Sequence, residues 1–159
     1  MNVSIMLDEL AIAAGKATEN LQMETKHGTL KPPQIVDGYL PPPDPKKPND
    51  ANDYPFVIVR YLGDESDTEG SSATVKIIAG AYSQDKARGW REALNLMDVL
   101  RTYFSKYPYF GKSFEIELPI RRKMPEEQDA PQWVGELTLN ITIPHIVEED
   151  ERVQKFFIE

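Results

Sequence analysis

Glu115 and Glu117 have the spacing of an acid–base pair placed on a strand. They stand two residues apart, so in an extended chain both carboxyl groups lie on the same face. Such a pair does acid–base chemistry when one carboxyl group is desolvated and its pKa rises. Here the glutamates alternate with apolar residues, as on the wet side of a half-buried strand. The pattern favours surface glutamates, and we predict no catalytic residue and no enzyme.

Three further motifs match a binding site only in part. The acidic run from Asp64 to Gly70 has the composition of a calcium loop, but it lacks the sixth-position glycine and the twelfth-position glutamate of an EF-hand. Gly111-Lys112-Ser113 matches the end of a phosphate-binding loop, but Lys106 stands where the first glycine belongs. Nothing in the sequence brings the two histidines, His27 and His145, together. We therefore predict no metal and no cofactor.

Composition predicts a soluble intracellular domain. The chain has 159 residues, no cysteine and a net charge of −8, from 26 acidic and 18 basic side chains. Nucleic-acid binding relies on Lys and Arg, so the excess of acid argues against it, with Arg121-Arg122-Lys123 as the local exception. A run of about 18 apolar residues, which could span a membrane, does not occur. We expect neither a specific nucleic acid nor a membrane as partner.

Two segments precede the first long strand. Apolar residues at three- and four-residue steps predict a helix from Ser4 to about Thr25, which ends at Lys26-His27-Gly28. Eight prolines between residues 31 and 55 exclude helix and central strand, and only Gln34 to Leu40 could form a short edge strand. This proline-rich segment is a surface loop, an arm that lies on a neighbouring subunit, or a polyproline ligand.

Four stretches predict strands, of which the first is apolar on both faces and the other three alternate apolar and polar residues. They are Phe56–Leu62, Ala73–Tyr82, Phe114–Ile120 and Trp133–Pro144. The first two form a hairpin with an acidic tip from Gly63 to Ser72. In the third, Leu118 shares the apolar face with Ile116.

A wide apolar stripe between the hairpin and the third strand predicts the main helix. Ser83 or Asp85 caps its start, Trp90 belongs to its apolar row, and Pro108 ends it. The predicted fold class is α+β: an antiparallel sheet of about four strands with two helices packed on one face, and a long proline-rich loop after the first helix. Residues 1–146 form the single domain, and residues 147–159 form a C-terminal arm.

The C-terminal arm carries two adjacent phenylalanines, Phe156 and Phe157, behind an acidic run at residues 148–151. Neighbouring phenylalanines need an apolar surface to cover them. The arm either folds back on its own core or docks on another chain, and the sequence leaves both possibilities open.

The order of elements and the local sequence resemble the tail terminator proteins (tail completion or minor tail proteins) of long-tailed bacteriophages and prophages. Five segments carry the resemblance: Tyr54–Arg60, Val75–Tyr82, Gly89–Leu100, Phe114–Ile120 and Asp129–Leu137. None of them is a catalytic motif. The proline-rich segment and the apolar C-terminal arm depart from the family pattern.

The resemblance implies a structural α+β subunit that forms a hexameric ring. Such a ring caps the finished tail tube, ends its polymerisation and joins the tail to the head-side connector. The implied partners are copies of itself, the tail tube protein and the connector protein, in the virion and, during assembly, in the host cytoplasm. The candidate contact residues are Asp64, Glu65, Asp67, Glu69, Arg121, Arg122, Phe156 and Phe157.

Three alternatives share this composition. The first is another neck or head-completion protein of the same phage module. The second is an acidic binding module that mimics DNA and grips a basic partner, with an affinity that falls steeply as salt rises. The third is an enzyme that uses Glu115 or Glu117 as an acid, for which replacement by glutamine would abolish turnover.

Overall fold

The fold is dominated by one large curled sheet, and strands make up 45% of the described residues. The computed structural model describes residues 3–40 and 54–143. In chain order the elements are α1 (Val3–Thr18), β1 (Met23–Glu24), β2 (Leu30–Lys31), β3 (Gln34–Asp37), β4 (Phe56–Asp67), β5 (Gly70–Tyr82), α2 (Trp90–Lys106), β6 (Tyr109–Phe110), β7 (Phe114–Lys123) and β8 (Gln132–Ile143). Phe156 and Phe157 lie outside the described residues.

The six strands of the large sheet follow the order β3-β4-β5-β8-β7-β6. β3 runs parallel to β4, and the other neighbours are antiparallel. The predicted antiparallel sheet of about four strands with two packed helices is therefore wrong, since the sheet is mixed and has six strands. The two added strands span only Gln34–Asp37 and Tyr109–Phe110, which is too short to show a clear alternation.

The core lies on the side of the sheet that faces α1 and α2. On β8 the predicted alternation is confirmed, because Leu137, Leu139, Ile141 and Ile143 are all buried while the residues between them are half exposed. β5 repeats the pattern with Val75 and Ile77. α2 covers β5 and β8 with five buried side chains at helical spacing: Ala93, Leu96, Met97, Leu100 and Phe104.

Two local predictions are wrong for identifiable reasons. α1 ends at Thr18 and not near Thr25, because the next residues form the β1–β2 hairpin around Gly28, whose φ is +80°. A glycine that ends a helix and one that makes a turn give the same sequence signal. Leu118 is 73% exposed, because β7 is irregular between Glu117 and Arg121, where its pairing with β8 shifts.

The start of α2 also differs from the prediction. Asp85 accepts backbone hydrogen bonds from Ala87 (2.9 Å) and Arg88 (3.0 Å) and so caps a turn that precedes the helix. α2 itself begins at Trp90, which is partly exposed and not in the core row. The buried tryptophan is Trp133, whose indole N–H donates to the Ser83 carbonyl at 3.0 Å.

Gly89→Ala is expected to destabilise the protein by about 1–3 kcal/mol, as overpacking does. Gly89 has ordinary helical dihedrals, but an added Cβ would lie 2.5 Å from Trp133 Nε1 and 2.6 Å from the Asp85 carbonyl oxygen. Urea unfolding measures the loss, and Trp133 fluorescence reports the displaced indole.

Gly15→Ala is the matched control for that substitution. Gly15 lies within α1, and a Cβ added to it would contact only Ile35 Cγ1, at an ordinary 3.7 Å. Alanine is therefore expected to raise the free energy of unfolding by about 0.5–1 kcal/mol. A loss of stability at both glycines would contradict this account of Gly89.

Candidate subunit interface

The sheet has a polar face opposite its helix face. It carries Thr74 and Lys76 of β5 and Glu136, Thr138, Asn140 and Thr142 of β8, all half exposed. These groups bind one another: Lys76 pairs with Glu136 at 3.4 Å, Thr74 bonds Asn140 at 3.3 Å, and Thr142 donates to Glu117 at 2.8 Å. The polar face is therefore largely self-neutralised.

One end of the polar face is apolar. Phe56 is 2% exposed and its ring lies directly over Gly80, its cross-strand partner, where any Cβ would lie 2.4 Å from the ring. The ring of Tyr54 tilts against it at 4.5 Å, and burial raises the pKa of the Tyr54 hydroxyl. Gly80 thus makes room for an aromatic side chain that a larger residue would expel.

The predicted acidic tip is a strand hairpin and not a loop. β4 and β5 pair as far as Asp67 and Gly70, so only Thr68 and Glu69 remain as the turn. The Asp67 carboxylate accepts the backbone N–H of Glu69 at 2.8 Å and of Gly70 at 3.1 Å, which fixes the turn. The predicted contacts Asp64, Glu65, Asp67 and Glu69 are all exposed.

A bulge in β4 sets the face of the sheet on which each of these acids lies. Tyr61 pairs with Val75 and Gly63 with Thr74, so Leu62 is the extra residue. Asp64 therefore lies opposite Ala73 on the helix face, and Glu65 opposite Ser72 on the polar face. Asp64 accepts a hydrogen bond from Tyr61, which raises the pKa of that hydroxyl.

Arg121 and Arg122 also point to opposite faces. Arg121 pairs with Thr138 on the polar face, whereas Arg122 pairs with the buried Leu137 and so lies on the helix face. There Arg122 forms an ion pair with Asp98 of α2, which Arg101 also approaches at 3.7 Å. A guanidinium has five donors, so Arg122 can bind a second carboxylate besides Asp98.

Along its outer edge β4 is only partly covered. β3 pairs with Phe56–Val59, and Gly38 donates its N–H to the Val59 carbonyl at 2.8 Å. Beyond that point no strand in the described ranges pairs with the stretch Tyr61–Asp67, which we call the acidic edge.

β7 is covered at the other end of the sheet. β6 pairs with Phe114 and Glu115, and Ile116 donates its N–H to the Pro108 carbonyl at 2.8 Å. From Glu117 onwards β7 has no outer partner among residues 3–40 and 54–143, and we call its end Arg121–Lys123 the basic edge.

Within one chain the acidic and basic edges do not meet. β5 and β8 lie between β4 and β7, so three interstrand gaps, about 14 Å, separate the two edges across the sheet. Runs of charged residues in the sequence indicated both the acidic and the basic residues. No local pattern indicated where the fold places them. Lys123 belongs to the basic edge and was missed as a contact residue, although it continues the same run.

Glu115 and Glu117 share the polar face, as their spacing predicted. Glu115 accepts a hydrogen bond from Tyr109 and so raises the pKa of that hydroxyl, while Glu117 accepts the bond from Thr142. Nearby, Pro108, Leu118 and the end of α2 line a shallow pocket of about 280 Å³ with these glutamates. Both carboxyl groups thus have surface partners.

In the part of the chain that the structure describes, no three His, Asp or Glu side chains are grouped to hold a metal ion. The described helices include none that is long and apolar enough to cross a membrane. No family model matches this chain, and a search of curated proteins finds no relative.

Proposed function

We propose that this chain is a structural subunit that assembles head to tail into a ring, and that the ring caps a phage tail tube. In that role it ends tube polymerisation and joins the tail to the head-side connector. The observation that carries the proposal is a pair of oppositely charged edges on one sheet, neither of which is covered by residues 3–40 or 54–143. The resemblance of five sequence segments to tail terminators supplies the biological setting.

A ring needs two different, mutually complementary surfaces on every subunit. In a heterologous contact the first surface of one copy meets the second surface of the next, and the series closes when the rotation does. Two edges of the sheet meet that requirement. The acidic edge carries Asp64 and Glu65, and the basic edge carries Arg121 and Arg122, so their charges are complementary. Each edge also offers strand backbone that no described strand pairs with.

The same charges oppose the competing symmetric dimer. Uncovered strand edges pair readily with identical edges, and charged side chains are a usual protection against this. Two acidic edges repel each other, and so do two basic edges. Pairing of unlike edges is the arrangement that remains, and it forms a ring when the rotation between copies closes.

A second candidate is the acidic binding module, which the four exposed acids of the hairpin favour. It would act as a monomer on a basic partner. Another neck protein of the same module would also form a ring, but would bind the portal side instead of tube ends.

The native mass of the purified protein, alone and mixed with tail tubes from the same gene neighbourhood, tests the proposal. We expect a closed ring of 18.1 kDa subunits, or protein bound only at tube ends in electron micrographs of the mixture. Tubes should also stop growing when the protein is added during their polymerisation.

Tubes mixed with an unrelated acidic protein of similar size serve as the control for nonspecific adhesion. A monomer that ignores tube ends would overturn the proposal and favour the binding module. If the ring binds only the portal, the proposed ring formation is supported but its position in the virion is on the portal side.

A further inference from the structure

We propose that β7 of one copy pairs antiparallel with β4 of the next in one register, with Arg121 opposite Glu65 and Arg122 opposite Asp64 of the neighbour. This inference rests on the proposed ring and specifies its contact. The result would be a sheet that continues from subunit to subunit.

Strand direction permits this pairing. β4, β5, β8 and β7 are joined by three antiparallel steps, so β4 and β7 run in opposite directions within one chain. Head-to-tail copies related by a small rotation keep those directions. β7 therefore meets the neighbouring β4 in the antiparallel sense, the same as in the rest of this part of the sheet.

Without a stagger between copies the contact would be repulsive. One row across the sheet joins Arg60, Lys76, Thr138 and Arg121, so an unstaggered neighbour would set Arg60 opposite Arg121. The neighbour's β3, which covers β4 as far as Val59, would also occupy the place beside Lys123.

A stagger of four residues removes both conflicts. The row of Glu65 contains Ser72 and Thr142, and Ser72 lies four residues along β5 from Lys76. Shifting the neighbour by that amount brings Glu65 beside Arg121, and the uncovered part of β4 beside the uncovered part of β7. β3 and β6 then lie beyond the two ends of the contact.

The faces of the sheet select this register over its immediate neighbours. Residues directly opposite each other in a sheet share a face, so a slip by one residue would put partners on different faces. Arg121 and Glu65 both lie on the polar face, and Arg122 and Asp64 both lie on the helix face. In this register both arginines face a carboxylate.

The stagger also has the size that closure needs. Four residues along a strand are about 13 Å, and four strands are about 19 Å across. The strands would then tilt by about 35° from the ring axis, at the lower end of the 35–45° usual for closed barrels.

Cysteine cross-linking tests the register, and the chain contains no cysteine that could interfere. Directly opposed strand residues have Cα atoms about 4.5–5.5 Å apart, within the range that a disulfide bridges. Under mild oxidation, the double variant Arg121→Cys/Glu65→Cys is expected to give a ladder of multimers on a non-reducing gel. In one chain these two residues are on the order of 20 Å apart, so a bridge must join two copies.

Two matched double variants test slipped registers. Arg121→Cys/Asp64→Cys represents a one-residue slip onto the wrong face and is expected to stay monomeric on the gel. Arg121→Cys/Asp67→Cys represents a slip by two residues, and a stronger ladder there would overturn the proposed register.

Native mass measured on the same samples separates the two proposals. A ring whose Arg121→Cys/Glu65→Cys variant does not cross-link keeps the proposed function and overturns this contact. A protein that is monomeric with and without tubes overturns both.

Discussion

Replacing Leu139 with alanine is expected to lower the free energy of unfolding by about 3 kcal/mol, within the range for buried leucines. Leu139 is fully buried in the middle of β8, between β5 and β7, with Val75 as its cross-strand neighbour. Truncation removes three carbons from a site walled by strands on both sides and by α2 above, which leaves little room for collapse. Urea unfolding with an unchanged slope would measure the loss as a lower midpoint.

Thr138→Val is the matched control for that measurement. Thr138 is the next residue of the same strand, but it lies on the polar face, and valine keeps its size and its branched β-carbon. We expect a change of about 0.5 kcal/mol or less, typical of surface substitutions. Both variants must be compared at one protein concentration, because assembly stabilises the folded chain by mass action. Equal losses would contradict the assignment of a buried and an exposed face to β8.

Reversing the charge of Arg121 is expected to abolish assembly, and so is reversing the charge of Glu65. Each single variant, Arg121→Glu or Glu65→Arg, sets like charges directly opposite each other at every contact of the ring. Like-charge contacts in an interface cost several kcal/mol, so the concentration for half-assembly should rise at least about 100-fold. Sedimentation velocity over a dilution series measures this.

Two combinations are expected to restore the ring. The double variant Arg121→Glu/Glu65→Arg exchanges the charges of the pair, so it should assemble with itself. An equal mixture of the two single variants should also assemble, because each contact then joins one copy of each kind with opposite charges. In the mixture the two variants must alternate around the ring, so only even-numbered rings can close.

Glu19→Arg controls for net charge in these experiments. It changes the charge by as much as Glu65→Arg does, but Glu19 is an exposed residue just after α1 and belongs to neither edge. Its assembly should match that of the unaltered protein. If Glu19→Arg disrupts assembly as strongly as Glu65→Arg, general repulsion and not a specific pair controls the contact.

The elements with a strong local pattern were predictable from sequence. β5, β8 and the apolar stripe of α2 repeat apolar residues over ten or more positions, enough to fix both type and buried face. The edge-strand possibility for Gln34 to Leu40 is also confirmed, as β3. β6 has two residues, and its existence depends on pairing with β7, which no local pattern records.

The edges of the candidate interface could be identified from sequence only as charges. Glu65 and Arg121 stand out by type, but the order of strands decides that they lie on opposite sides of the molecule. That order requires β8, the last of the described strands along the chain, to insert between β5 and β7. Such pairings join residues far apart in sequence, for example Ala73 with Ile141, and their energy is invisible in a local window.

In the proposed ring, the two edges that no described strand covers would give assembly an all-or-none character. Every open arc, whatever its length, keeps one acidic and one basic edge unpaired, and each added copy covers one edge and exposes another like it. Only closure covers the last two at once. That final contact joins ends already tethered to each other, so it forms at a high effective concentration. Partial arcs should therefore be scarce, and solutions should hold single copies and complete rings.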